Sequence, residues 1–261
     1  MTAALETASG GSGNDTFTVA NTATSTTLTD LDTITGGAGT DTLSIADTAN
    51  GVYTLPTSMT MTGVENITLS HLSDGAADII TVDTTNYTDV DSVTIVNAGT
   101  NINSATVNGS ANLQTVTISG GSGQDIIAVV VADAGTAGSA TAATTDAITS
   151  VSLTGVTTTG TLTSDALTSL TLKNVAGLVT NTDGYVAATD ARELTVSHNG
   201  GTNGGAIDAG ATTVNVNIDA ATTAAGTNTF AVATTLNVDV NAALTAGTIV
   251  AASATDVNVN F

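Results

Sequence analysis

Apolar and polar positions alternate along this chain in short bursts, and the bursts recur. The pattern apolar-x-x-apolar-x-apolar appears as Val64-Glu-Asn-Ile67-Thr-Leu69, Val90-Asp-Ser-Val93-Thr-Ile95, Leu113-Gln-Thr-Val116-Thr-Ile118, Ile148-Thr-Ser-Val151-Ser-Leu153 and Leu167-Thr-Ser-Leu170-Thr-Leu172. It continues as Ala191-Arg-Glu-Leu194-Thr-Val196, Ala211-Thr-Thr-Val214-Asn-Val216, Ala233-Thr-Thr-Leu236-Asn-Val238 and Ala254-Thr-Asp-Val257-Asn-Val259. The residues opening each final apolar pair are 67, 93, 116, 151, 170, 194, 214, 236 and 257, separated by 26, 23, 35, 19, 24, 20, 22 and 21. Period-two alternation rich in Val, Ile and Thr predicts strands, and the Gly, Asn, Asp and Ser between them predict turns. An all-β chain follows, a parallel β-solenoid with about 20 residues per coil, each coil resting mainly on its neighbours. The 35-residue interval is expected to hold one further coil.

The same alternation assigns faces. Val214, Val216, Leu236, Val238, Val257 and Val259 point inward, while Asn215, Asn237 and Asn258 form an outward ladder. A thin coil has room only for small or branched residues, which fits 41% hydrophobic content with 2% aromatics and no Trp. The single proline, Pro56, falls between coils, where a missing N–H breaks no ladder.

Charge removes whole classes of partner. Asp and Glu number 23 against two basic residues, Lys173 and Arg192, for a net charge of -21. Nucleic acids and anionic membrane surfaces both need clustered Lys and Arg, so neither is an expected partner. No apolar run is long enough for membrane insertion, and residues 1–30 show no basic segment leading into an apolar one. The absence of Cys excludes disulfides, zinc thiolates and Cys nucleophiles together.

Candidate chemistry sits in glycine-rich turns. The nonapeptide G-G-x-G-x-D-x-U-x, with U apolar, occurs as Gly10-Gly11-Ser12-Gly13-Asn14-Asp15-Thr16-Phe17-Thr18, as Gly36-Gly37-Ala38-Gly39-Thr40-Asp41-Thr42-Leu43-Ser44 and as Gly120-Gly121-Ser122-Gly123-Gln124-Asp125-Ile126-Ile127-Ala128. A degenerate copy, residues 27–35, carries Asp30 and Asp32 and abuts the second in register. Glycines let such a turn aim backbone carbonyls into the space between coils, and Asp adds an anionic oxygen. Hard oxygen ligands of this kind suit Ca2+. The expected metal residues are Gly10, Gly11, Gly13, Asp15, Asp30, Asp32, Gly36, Gly37, Gly39, Asp41, Gly120, Gly121, Gly123 and Asp125. Two nonapeptides would make one coil, so Asp15 and Asp32, 17 apart, are expected to stack and share an ion.

Residues 10–44 resemble RTX calcium-binding repeats. With Leu55-Pro-Thr-Ser-Met-Thr-Met-Thr-Gly-Val-Glu-Asn-Ile-Thr68 following, the chain resembles the RTX-type surface-layer proteins of alphaproteobacteria. The resemblance implies an RTX β-roll over residues 1–50, a continuous solenoid over 51–261, type I secretion, and self-assembly into a calcium-dependent lattice or filament on the cell surface. Anchoring to cell-surface polysaccharide would fall to regions outside this sequence, which lacks the family's long anchoring domain and its glycine-dense secretion block. A segment of a longer coat protein, or a protomer that joins end to end, is therefore expected. An adhesin or biofilm matrix protein is the alternative.

A β-helical polysaccharide-active enzyme fits less well. Glu6, Glu65 and Glu193 could pair with an Asp for glycoside chemistry, but the aromatic platforms and basic residues of such sites are scarce. His71 and His198 are expected to be exposed turn residues, and Lys173 and Arg192 to pair with nearby acids or stay solvated. No catalytic residue is assigned.

Overall fold

The computed structural model describes residues 6–73, 78–99, 101–121, 125–134, 146–182 and 192–261. Every regular element among them is a β-strand, and no helix is long and apolar enough to cross a membrane. The strands stack into a parallel β-solenoid of about nine turns with roughly 24 residues per turn, somewhat more than the repeat spacing suggests.

One long sheet runs the length of the solenoid. Its parallel strands are Thr16–Thr22, Thr42–Asp47, Asn66–His71, Ser92–Asn97, Thr115–Gly120, Ser150–Thr154, Ser169–Lys173, Glu193–Thr202, Thr213–Ala224, Thr235–Val240 and Asp256–Asn260, and a short antiparallel strand, Ser25–Thr26, folds back on Asn21 and Thr22. A second, nine-stranded sheet forms the opposite wall, from Val52–Thr54 through Ile126–Ala132 to Thr248–Val250. Among the described residues a third sheet is confined to the first coils, where Thr7–Ser9, Thr33–Thr35 and Thr60–Thr62 pair. Farther along, turns close that side. Tyr87, buried within one of them, donates its hydroxyl to the Pro56 carbonyl of the coil before.

The alternation sets the register as physics requires. Phe17, Leu43, Ile67, Val93, Val116, Val151, Leu170, Val196, Val216, Val238 and Val259 form one column. Leu170 therefore rests on Val196 and not on Leu194, which starts a new column with Val214 and Leu236. A slip of two residues keeps every side chain on its own face, so the pattern alone does not resolve it. The long interval also resolves differently from expectation. Thr115–Gly120 pairs directly with Ser150–Thr154, and Ile126–Ala132 with Val156–Thr163, so no further coil intervenes in either sheet. Residues 135–145 of that interval lie outside the described residues.

Inside, aliphatic columns fill a thin core. Val93, Val116, Val214, Ile67 and Leu69 are fully buried, while Val257 and Val259 of the last coil are more than half exposed. Outside, Asn237 donates to Asn215 Oδ1 at 2.8 Å and Asn258 to Asn237 Oδ1 at 2.9 Å, the ladder that the alternation predicts. Arg192 reaches Asp208 Oδ1 at 2.6 Å and donates to the Leu167 carbonyl.

Candidate metal centre

The two complete N-terminal nonapeptides stack directly on each other at the corner that leads into the long sheet. The Thr42 amide donates to the Asp15 carbonyl and the Ala38 amide to the Gly11 carbonyl, each at 2.9 Å. Gly37 and Gly39 have φ of 113° and 133°, and a Cβ on either would meet the turn above, 2.1 Å from Gly11 O and 2.6 Å from Gly13 O. Only glycine meets both demands, the left-handed backbone and the close approach of two turns.

This stacking places Asp15 over Asp41, 26 residues on. The Asp15 amide donates to Asp41 Oδ1 at 2.7 Å, and the Asp41 amide donates in turn to Glu65 Oε2 at 2.6 Å. Asp15, Asp41, Glu65 and Asp91 immediately precede the paired strand residues Thr16, Thr42, Asn66 and Ser92, so four successive coils carry an acid at one corner. Neighbouring coils are about 4.8 Å apart, and two like charges at that range repel by ~1 to ~4 kcal/mol depending on solvent access. Neither Lys173 nor Arg192 belongs to these four coils; Arg192 is held by Asp208.

Acceptor oxygens also converge there. A Cβ on Gly10 would lie 2.3 Å from Gly36 O and 2.5 Å from Asp15 Oδ2. A Cβ on Gly36 would lie 1.6 Å from Gly63 O and 2.4 Å from Asp41 Oδ2. Each glycine thus leaves open a cradle in which a carboxylate oxygen faces the carbonyl of the next coil. Asp15 Oδ2 takes a donor, the Gly11 amide at 2.7 Å. Asp41 is fully buried, and its Oδ2 has no hydrogen-bond partner. Among the described residues no group of three or more His, Cys, Asp or Glu side chains is placed to hold a metal ion by itself. A cation at this corner would therefore draw on backbone carbonyls as well as carboxylates, a donor set that fits calcium.

The degenerate copy lies elsewhere. Asp32 opens the third face, accepts the Thr29 amide at 2.7 Å and the Glu6 amide at 2.9 Å, and does not stack with Asp15. The expected sharing of an ion between Asp15 and Asp32 is corrected by this third face, which lengthens the coil from 18 residues to 26. Asp30 Oδ1 accepts the Ser58 amide of the following coil at 3.0 Å.

The third copy lies at a different corner again. Gly120 closes a strand of the long sheet, whereas Asp125 precedes Ile126–Ala132 of the second sheet. The Asp125 amide donates to Asn101 Oδ1 at 3.1 Å, and Asp125 lines a groove with Gly120, Gly121, Gly155, Asn174 and Lys173. No second nonapeptide stacks on it, and a lysine shares its groove. Gly123 lies outside the described residues.

Both histidines are fully buried, contrary to the expectation of exposed turns. His71 ends its long-sheet strand, and His198 stands at the register shift within Glu193–Thr202. His71 Nδ1 is 2.9 Å from Asp47 Oδ2, and His71 Nε2 is 3.0 Å from Asp78 Oδ2, with all three side chains at most 2% exposed. Asn21 donates to Asp47 Oδ1 at 2.7 Å, so the cluster ties three coils together. The nearby Tyr53 hydroxyl is buried without a partner, and burial, reinforced by Asp47, pushes its pKa well up. His198 instead meets only an amide, Asn228 Oδ1 at 3.2 Å, and burial lowers its pKa.

No protein-family model and no curated protein matches this chain, so the functional reading rests on the residues and their geometry.

Proposed function

We propose that the chain is a structural, non-enzymatic β-solenoid of an extracellular surface layer, folded and stiffened by calcium at its N-terminal corner. One observation carries this reading: the two nonapeptide turns stack in register and set Asp15 over Asp41 in a column of acids. Calcium there would offset repulsion that no basic side chain relieves, while backbone carbonyls supply its neutral ligands. At a net charge of -21 the chain resists compaction when metal is scarce. Millimolar external calcium, the range of weak extracellular modules, then favours the folded rod. The resemblance to RTX surface-layer proteins supports secretion and self-association as the setting.

Circular dichroism and melting of the chain in millimolar calcium and in EGTA test the metal. A higher melting temperature with calcium is expected; identical curves sink the calcium mechanism. Electron microscopy after calcium addition tests the assembly. Ordered sheets support a coat, whereas isolated rods favour the adhesin or matrix reading.

A further inference from the structure

We propose a second calcium site, between the second and third coils, formed by Asp41 Oδ2, the Gly63 carbonyl and the Glu65 carboxylate. It lies outside the stacked nonapeptide pair, because the turn holding Gly63 and Glu65 has no nonapeptide. It goes beyond the function proposed above and holds or fails independently of an ion between Asp15 and Asp41.

The first observation is an orphaned atom. Buried Asp133 has donors on both oxygens, the Ala134 amide on Oδ1 and the Ala147 and Ile148 amides and the Ser164 hydroxyl on Oδ2, while Asp78 Oδ2, which makes no hydrogen bond, at least faces a ring nitrogen, His71 Nε2 at 3.0 Å. Asp41, with no exposure at all, has a donor on Oδ1 only. A buried acceptor without a donor loses its hydration with nothing in exchange, and a cation is the partner that accepts electron density from it.

The second observation is where that oxygen points. Asp41 Oδ2 and Gly63 O both lie within 2.4 Å of the position a Gly36 Cβ would take, so the two oxygens stand within about 4 Å of each other. Two acceptors converge on one point, and no hydrogen-bond donor satisfies Asp41 Oδ2 there. Gly63 is built for this: at φ 60° its carbonyl turns toward Gly36 of the coil before, while its amide donates at 2.7 Å to Asp89 Oδ2 of the coil after. Glu65 adds charge, its Oε2 held by the Asp41 amide at 2.6 Å on a half-buried side chain.

The chemistry selects the ion. Carboxylates and one carbonyl are hard donors in an irregular arrangement, open to water on the Glu65 side. Calcium tolerates irregular coordination and variable hydration, whereas magnesium demands near-ideal octahedra.

Isothermal titration of the full-length chain with CaCl2 tests the site. E65Q keeps an oxygen for the Asp41 amide but removes the charge; D15N removes an acid of the nonapeptide pair alone. The wild type is expected to bind at least two ions, E65Q to lose one or weaken it at least tenfold, and D15N to retain that one. E65D, which keeps the charge but withdraws it by one methylene, should bind more weakly than wild type and more tightly than E65Q, and E193Q, a charge removed at the far coils, should bind as wild type. Calcium binding by E65Q indistinguishable from wild type overturns the second site and leaves the nonapeptide site standing if D15N is impaired. Loss in E65Q with D15N unchanged supports the second site and overturns the first. Should E65Q fail to fold by circular dichroism, E65D decides: unaltered binding there overturns the proposal, and weakened binding supports it.

Discussion

The first four coils and the last ones turn the same corner with different chemistry. Asp15, Asp41, Glu65 and Asp91 stand there at the N-terminal end. Gln114, Thr149 and Thr168 follow, then Arg192, whose guanidinium is held by Asp208, and then Thr212, Thr234 and Thr255. The threonines satisfy themselves: Thr168 Oγ1 donates to Thr149 O at 3.1 Å, Thr234 Oγ1 to Thr212 O at 3.3 Å and Thr255 Oγ1 to Thr234 O at 3.4 Å. A hydroxyl both donates and accepts, so a column of them closes without outside help. Ionised carboxylates only accept, so their column takes the amides of neighbouring coils and still has charge and an oxygen left over. One fold thus contains a self-sufficient half and a half that calls for a counter-ion.

The largest effect that separates the halves is metal withdrawal. A ligand present at 100 times its Kd stabilises by about 2.7 kcal/mol, and it acts where it binds. Hydrogen exchange in EGTA is expected to strip protection from amides of residues 6–73 and to leave those of residues 192–240 nearly unchanged. Uniform loss along the rod, or none, removes the distinction between the corners.

A second comparison uses the histidines. Removing the hydrogen-bonding partner of a buried carboxylate costs about 1 to 3 kcal/mol for each group left unsatisfied. H71Q exposes Asp47 and Asp78 to that penalty, whereas H198Q substitutes one amide-bonding group for another beside Asn228. Urea denaturation should show H71Q less stable than H198Q by at least about 2 kcal/mol. Equal losses mean that Asp47 and Asp78 do not depend on His71 as their partner.

The sequence shows the fold more completely than the site, for physical reasons. Period-two alternation dictates faces, and faces dictate a solenoid, so the inward column and the Asn215–Asn237–Asn258 ladder are readable directly. A two-residue slip leaves faces unchanged, which hides the pairing of Leu170 with Val196. The nonapeptides mark Asp15 and Asp41, but an 18-residue coil is the wrong ruler where Thr33–Thr35 adds a third face. Glu65 carries a visible signal without any glycine motif: Asp15, Asp41, Glu65 and Asp91 all stand two residues before an inward apolar residue, Phe17, Leu43, Ile67 and Val93. The burial of His71 has no local signature, because Asp47 is 24 residues away and joins it only through stacking.

Acid should probe the C-terminal half next. Burial lowers the folded-state pKa of His198 below the ordinary 6.5. Above pH 6.5 the residue is neutral folded or unfolded and contributes no pH dependence. Below it the unfolded chain takes up a proton that the folded chain refuses, so stability falls with acidification until the folded value is reached. The slope approaches about 1.4 kcal/mol per pH unit. H198Q should flatten the urea midpoint between pH 6.5 and 5 relative to wild type. An unchanged slope assigns the acid sensitivity to other groups.

The smallest predicted effect tests whether the threonine corner is neutral in the sense argued. T234V keeps shape and removes the hydroxyl that donates to the Thr212 carbonyl. A partly solvated hydrogen bond of this kind contributes about 0.5 to 1 kcal/mol, and valine's strand preference offsets some of the loss. The expected destabilisation is therefore under about 1 kcal/mol and, decisively, the same in calcium and in EGTA. The corresponding change at the acidic corner, D41N, should be calcium-dependent: costly in calcium, where a ligand is lost, and mild or even favourable in EGTA, where the amide relieves repulsion from Asp15 and Glu65. Denaturation midpoints of both variants in both buffers complete the comparison. If T234V responds to calcium as D41N does, the two corners share one ion-dependent mechanism and the boundary between them is not chemical.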